Sequence, residues 1–117
     1  MTHNDNATRY YSERQEKYIA DKFGGYKSTN SGASDFSAGD VILEHYLIEC
    51  KTCLKEQKSF TIQKEWIDKI HKESFAKGKL DGIVAFNFGN NNENYFIINE
   101  NLMHFLIEKT KLDFKEI

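Results

Sequence analysis

Residues 40–52 set the pattern that the rest of the chain extends. They read Asp40-Val41-Ile42-Leu43-Glu44-His45-Tyr46-Leu47-Ile48-Glu49-Cys50-Lys51-Thr52. An acid opens an apolar run, two polar residues interrupt it, and the second run ends in alternating Glu49, Cys50 and Lys51. Val, Ile and Tyr suit a pleated surface. The pattern predicts a β-hairpin with one strand over 41–43, a tight turn at Glu44-His45 and a second strand over 46–52. The turn has neither Gly nor Asn, so its type is left open.

On either side the periodicity changes. Ser12 precedes acids and reads as a helix N-cap. The helix is expected over 13–23, with Tyr18, Ile19 and Phe23 as its apolar stripe, helped by Tyr11 or Gln15, and Gly24-Gly25 as its end. Residues 26–29 form a short candidate strand. A second helix is expected over 61–77, where Ile62, Trp66, Ile67, Ile70 and Phe75 nearly keep helical spacing and Gly78 stops it. Residues 82–88 and 95–98 read as strands around an Asn-rich turn. A last helix over 100–108 is expected to bury Leu102, Phe105 and Leu106, followed by a polar tail over 109–117. Helix, strand, hairpin, helix, hairpin, helix is the order of an α/β fold with a central mixed β-sheet flanked by helices.

Composition narrows this picture. The chain has 117 residues, 39% hydrophobic and 14% aromatic, with no Pro. That size suits a single domain over 1–117, with residues 1–10 expected to be flexible. No apolar run is long enough to span a bilayer, and the polar start has no signal-peptide core. The expectation is a cytoplasmic protein with no membrane partner. The net charge of −2 argues against coating nucleic acid by bulk charge, but not against a local basic face. Cys50 and Cys53 form a lone Cys-x-x-Cys without the second pair a structural zinc site needs. They read as small hydrophobes.

The hairpin is also where the candidate chemistry lies. Strand residues alternate between faces, so Glu49 and Lys51 project together. Pairing through the short turn brings Asp40 beside them. Two carboxylates with shared water suit Mg²⁺, and an ammonium beside such an ion can orient water or meet developing charge. A solvated strand edge would carry the same letters. The loop before Asp40 is rich in Ser and Gly. Its Ser28, Ser31 and Ser34 have hydroxyls suited either to a phosphate or to the turn backbone. Lys64, Lys69, Lys72 and Lys77 line the polar side of the second helix, and Lys55 and Lys58 precede it. They form either a solvated face or a rail for phosphates.

Gly39-Asp40-Val41 followed by Leu47-Ile48-Glu49-Cys50-Lys51-Thr52 resembles the core motif of the PD-(D/E)XK nuclease superfamily. Ser31-Gly32-Ala33 resembles the Ser/Gly loop of its small phage and archaeal Holliday junction resolvases. The resemblance covers most of the chain, and Gly39 stands where the family's signature proline is found. It implies a restriction-endonuclease-like αβββαβ core and a Mg²⁺-dependent DNA endonuclease, with Mn²⁺ as a substitute ion. The implied substrate is a Holliday junction or other branched DNA in recombination, cut by a homodimer. By the same resemblance Asp40, Glu49 and the Cys50 backbone carbonyl hold the metal. Lys51 positions water, and an acid of the first helix completes the site, Glu13 first and Glu16 next. Ser31, Lys55, Lys58, Gln63, Lys64 and Lys72 are the candidate DNA contacts, with Gln63 or Lys64 facing the metal from the second helix. Two alternatives remain: a nicking or single-strand nuclease of the same fold, and a DNA- or protein-binding domain without chemistry.

Overall fold

The structure is a computed structural model that describes residues 3–28, 39–89 and 93–115. Its elements in chain order are helix α1 (His3–Phe23), strands β1 (Tyr26–Lys27), β2 (Val41–Ile42) and β3 (Tyr46–Lys51), helix α2 (Lys64–Ala76), strands β4 (Asp81–Phe86) and β5 (Tyr95–Ile97), and helix α3 (Glu100–Lys115). The five strands form one mixed sheet in the order β1-β2-β3-β4-β5. Only β3 and β4 run parallel among these neighbours, and α2 makes the crossover between them. The chain is thus α/β, with a five-stranded mixed sheet and three helices.

The hairpin forms as the pattern predicts. Val41 pairs with Ile48 and Ile42 with Leu47, and the Leu43 N–H donates to the Tyr46 carbonyl across the two-residue turn (2.9 Å). Alternation then sorts β3 onto two faces. Ile48 joins Ile19, Ala20, Val41 and Ala85 under α1, with Cys50 packed against them. Leu47 joins Ile70 and Val84 under α2, with Trp66 and Ile67 alongside. Each face therefore has its own small core.

Glycine matters at two places here. Gly39 sits at φ +71°, with Ile70, Ile48 and Leu47 crowding the spot a Cβ would take. Proline is locked near −65°, so the backbone at position 39 cannot carry the proline of the family pattern. Gly82 lets β4 approach α2 so closely that a Cβ would run into the Ile70 carbonyl.

Several expectations are corrected. Helix α1 begins at His3 rather than Glu13, so Ser12 is an interior residue and not an N-cap, and residues 3–10 are helical. No Gly or Pro interrupts the run. The buried stripe of α1 is Gln15, Glu16, Ile19 and Ala20, whereas Tyr18 and Phe23 are half exposed. Helix α2 begins at Lys64, with Gln63 as its N-cap. Its inward position near the C-terminus is Ser74, which donates to the His71 carbonyl (2.7 Å), and Phe75 is 83% exposed. Helix α3 runs on to Lys115 and takes in most of the expected tail, because Lys-Leu-Asp-Phe-Lys contains no breaker. Only Leu102 of its apolar residues is buried, while Phe105 and Leu106 are exposed. Asn99 starts the helix, accepting from the Leu102 N–H (2.8 Å) and donating to the buried Asp81 carboxylate. Among the described residues no helix is long and apolar enough to cross a membrane.

Candidate functional site

The site grows out of the end of the hairpin. Asp40 follows Gly39 just before β2, where the ladder to β3 runs out. Its N–H donates to the Ile48 carbonyl (2.8 Å), and its Oδ2 accepts the Cys50 N–H (2.8 Å). The carboxylate thus takes over the strand-pairing role that the backbone no longer fills. A strand residue turns its N–H and C=O toward the same neighbour, so the Cys50 carbonyl also faces the Asp40 side. Glu49 and Lys51 flank Cys50 on the opposite face. Their side chains pair at 3.5 Å and are mostly shielded, with 15% of Glu49 and 29% of Lys51 exposed. Lys51 Nζ also stands 4.6 Å from the centre of the Trp66 ring, a cation–π contact. Trp66 is therefore a core side chain that fixes the lysine rather than a free stacking platform.

Electrostatics binds three acids into one group. Burial, countered by the Cys50 N–H, Lys51 and Lys69, lifts Asp40 above the usual carboxylate value. Burial and then Asp40 raise Glu49, again against Lys51 and Lys69. Glu16 shifts most. Burial first, then Asp40, pushes it up to about 7, with Lys27 opposing and Glu13 and Glu49 adding. Burial also pushes the Cys50 thiol strongly upward, which keeps it protonated and unreactive. Cys50 and Cys53 are both free thiols.

The structure brings Asp40, Glu49 and Lys51 together and treats the other candidates unequally. On α1 it is Glu16 that turns inward, 7% exposed, while Glu13 faces solvent. On α2, Lys64 points away and pairs with Asp68 in an exposed contact (2.7 Å). Gln63 is exposed at the N-cap and its side chain caps nothing. Lys69 is the helix lysine whose field reaches both carboxylates. Beside it lies Glu73, 3.9 Å away, which accepts the Gly39 N–H (3.0 Å). Lys55, Lys58 and Lys72 are exposed. Ser31 and Ser34 lie outside the described residues. Ser28 lies within them and its N–H donates to the Asp40 carbonyl (2.9 Å).

Sequence reasoning offered Gln15 only as a helper of the α1 stripe, not as a site residue. It is buried, and its Nε2 donates to the Lys51 carbonyl (2.9 Å) and to Asn94 Oδ1 (3.2 Å). Its spacing of four from Ile19 was the only signal the sequence offered.

Among the described residues no three His, Cys, Asp or Glu side chains gather closely enough to hold a metal ion by themselves. The set that fits a hard cation is two carboxylates, Asp40 and Glu49, completed by the Cys50 carbonyl. All of its donors are oxygens. Burial first holds each of these acids back from ionising, and a divalent cation among them would favour their charged forms. No family model, curated protein or solved structure matches this chain.

Proposed function

We propose that the chain is a Mg²⁺-dependent DNA endonuclease of the PD-(D/E)XK type, cutting branched DNA such as a Holliday junction. The observation that carries this reading is the hairpin end. There Asp40 bonds to the Cys50 N–H while Glu49 and Lys51 stand paired on the flanking positions. The element order α1-β1-β2-β3-α2-β4 is also that of the αβββαβ core the resemblance implies.

Asp40, Glu49 and the Cys50 carbonyl would hold Mg²⁺, or Mn²⁺ in its place. When bound, the ion would polarise the scissile phosphate and make water a better nucleophile. Lys51 is fixed by Glu49 and Trp66. It places an ammonium where it orients the attacking water and meets the charge that develops on phosphate oxygens. Glu16 takes the role given first to Glu13. Its raised pKa lets it give or take a proton near neutral pH. Symmetric cleavage of a four-way junction needs two such sites, so the partner is a second copy of the chain. The exposed Phe105 and Leu112 of α3, seven positions apart and so on one side of the helix, offer an apolar surface for it.

The test is cleavage of matched four-way, duplex and single-stranded DNA in Mg²⁺, Mn²⁺ and a chelator. Junction arms should be nicked with either ion and stay intact with the chelator. Asp40→Asn and Glu49→Gln, each still folded, should lower the rate to ~10⁻³ or less of wild type, at or beyond the upper end of losing one electrostatic stabiliser. Cutting within a few-fold of wild type by either variant removes that residue from the site. No cutting of any substrate by the wild-type chain would leave a binding domain.

A further inference from the structure

On the α1 side, behind the carboxylates, a cavity of about 680 Å³ opens between α1, the end of β3 and β5. Its size falls within the range of small-ligand sites. Its walls are of three kinds. Tyr18, Phe23 and Phe96 are aromatic, with Phe23 and Phe96 edge to face at 5.4 Å. All three are partly exposed, so apolar ring surface is left uncovered. Arg14 and Lys22 bring positive charge from α1, about 12 Å apart along the helix. Gln15, Asn87 and Asn94 bring amides. Glu93 lies on the same lining.

The amides are held in one orientation by backbone groups at both ends. The Lys51 carbonyl can only accept, so the nitrogen of Gln15 must face it. Gln15 then donates to Asn94 Oδ1, which also accepts from Asn87 Nδ2 (3.2 Å). Asn87 Oδ1 accepts the Gly89 N–H (2.9 Å) and the Thr52 hydroxyl (2.8 Å). Reversing one amide would break the whole chain of bonds. With this polarity Asn94 keeps its Nδ2 donor, and Gln15 Oε1 is a buried acceptor that no described group satisfies. Oriented amides, ring faces and two cations together suit a flat heterocycle with hydrogen-bonding edges that carries a phosphate.

We propose that this cavity receives an unpaired nucleobase of the bound nucleic acid, stacked on Tyr18 and Phe96, with the phosphates on its two sides at Arg14 and at Lys22. Gln15 ties the cavity to the backbone of Lys51, so the base would lie within a nucleotide or two of the bond cut at the hairpin end. In that respect the inference rests on the nuclease reading. It adds that the substrate has an unpaired base beside the cut, as at a junction crossover or a single-stranded segment. A fully paired duplex has none to offer.

Binding can be read without cleavage. Single-stranded and duplex oligonucleotides of one sequence are titrated in Ca²⁺, with 2-aminopurine at successive positions to report stacking. The single strand should bind at least ten-fold more tightly than the duplex, and one 2-aminopurine position should be quenched. Tyr18→Ala with Phe96→Ala should remove that quenching and weaken the single strand by roughly 5- to 150-fold, the range for losing one stacked base. Both side chains are partly exposed, so the variants should fold, and thermal melting checks this. Side-chain amide NMR signals of Gln15, Asn87 and Asn94 should shift on adding thymidylyl-thymidine. Equal binding of duplex and single strand, or unchanged single-strand affinity in the folded double variant, overturns the proposal even if the chain cuts DNA. If the chain cuts nothing but these binding results hold, the nuclease reading fails and the base site stands.

Discussion

The two faces of the sheet at the end of β3 handle their charges differently. On the α2 face Glu49 and Lys51 neutralise each other and Trp66 backs the lysine. On the α1 face Glu16 is buried with its charge disfavoured, and Gln15 is buried with an acceptor unmet. The first face gives its charges partners from within the chain, although burial still raises Glu49. The second holds polar groups in a condition that costs stability unless something from outside satisfies them. A chain selected only for stability would place apolar residues at positions 15 and 16. Their polarity therefore points to a use beyond the fold.

If the α2 face holds the reacting group, Lys51 should matter for rate more than for affinity. Lys51→Ala is expected to lower turnover at saturating junction DNA by ~10² or more, with binding in Ca²⁺ changed by only a few-fold. The substitution also frees Glu49 from its partner, so the apparent affinity for Mn²⁺, read by calorimetry, should hold or improve. Normal cutting at saturating DNA with weakened binding would make Lys51 a phosphate anchor instead.

The α1 face has a signature in pH. An unfolded chain loses the Glu16 proton near 4.5, whereas the folded chain keeps it to about 7. Between those values the unfolded state binds fewer protons, so stability falls as pH rises, and above about 7 the loss is complete. The loss from this one group is of order 3 kcal/mol. Asp40 and Glu49 are raised too and add in the same direction. With a chelator present, the urea midpoint should drop across this window, and Glu16→Gln should remove most of the drop. A midpoint that is flat or rises between pH 5 and 7 would place Glu16 in water, and the contrast between the faces would go with it.

What was legible in the sequence follows the same division. The hairpin, and with it the meeting of Asp40, Glu49 and Lys51, depends on period-two alternation and a short turn, both local. The α/β order followed from the change between strand and helix periods. The helix contributions did not follow, because they depend on rotation about the helix axis. Glu13 and Glu16 are a turn apart, and so are acceptable together by spacing. Only the buried stripe of Gln15, Glu16, Ile19 and Ala20 separates them, and two of its four members are polar. Apolar periodicity found Ile19 but added Tyr18 and Phe23, which are exposed. On α2 the same rotation sets Lys69 rather than Lys64 toward the carboxylates. In α3, exposed apolar residues imitate a buried stripe, and among the described residues only Leu102 of the helix's apolar side chains is buried.

The smallest expected effect concerns the outer side of α2. Lys64 and Lys72 are exposed and eight positions apart, so they stand about two turns from each other along one side of the helix. Lys69, between them in sequence, pairs with Glu73, and its charge acts on Asp40 and Glu49 instead. If the outer lysines lie along a DNA arm, each contributes one phosphate contact. Replacing both by Gln should then lower the salt slope of junction binding by about 1.8, twice the ~0.9 per phosphate of duplex DNA. Lys64 gives up an ion pair with Asp68 on meeting a phosphate, but that exposed pair is worth little in water, so it should subtract little from the change. Measured in Ca²⁺ from 50 to 200 mM salt, the variant should lose about ten-fold less affinity than wild type across the range. An unchanged slope would mean that the outer side of α2 is only solvated. The phosphates would then follow Arg14 and Lys22 on the α1 side, and both recognition and the cavity would belong to one face of the sheet while the carboxylates cut from its end.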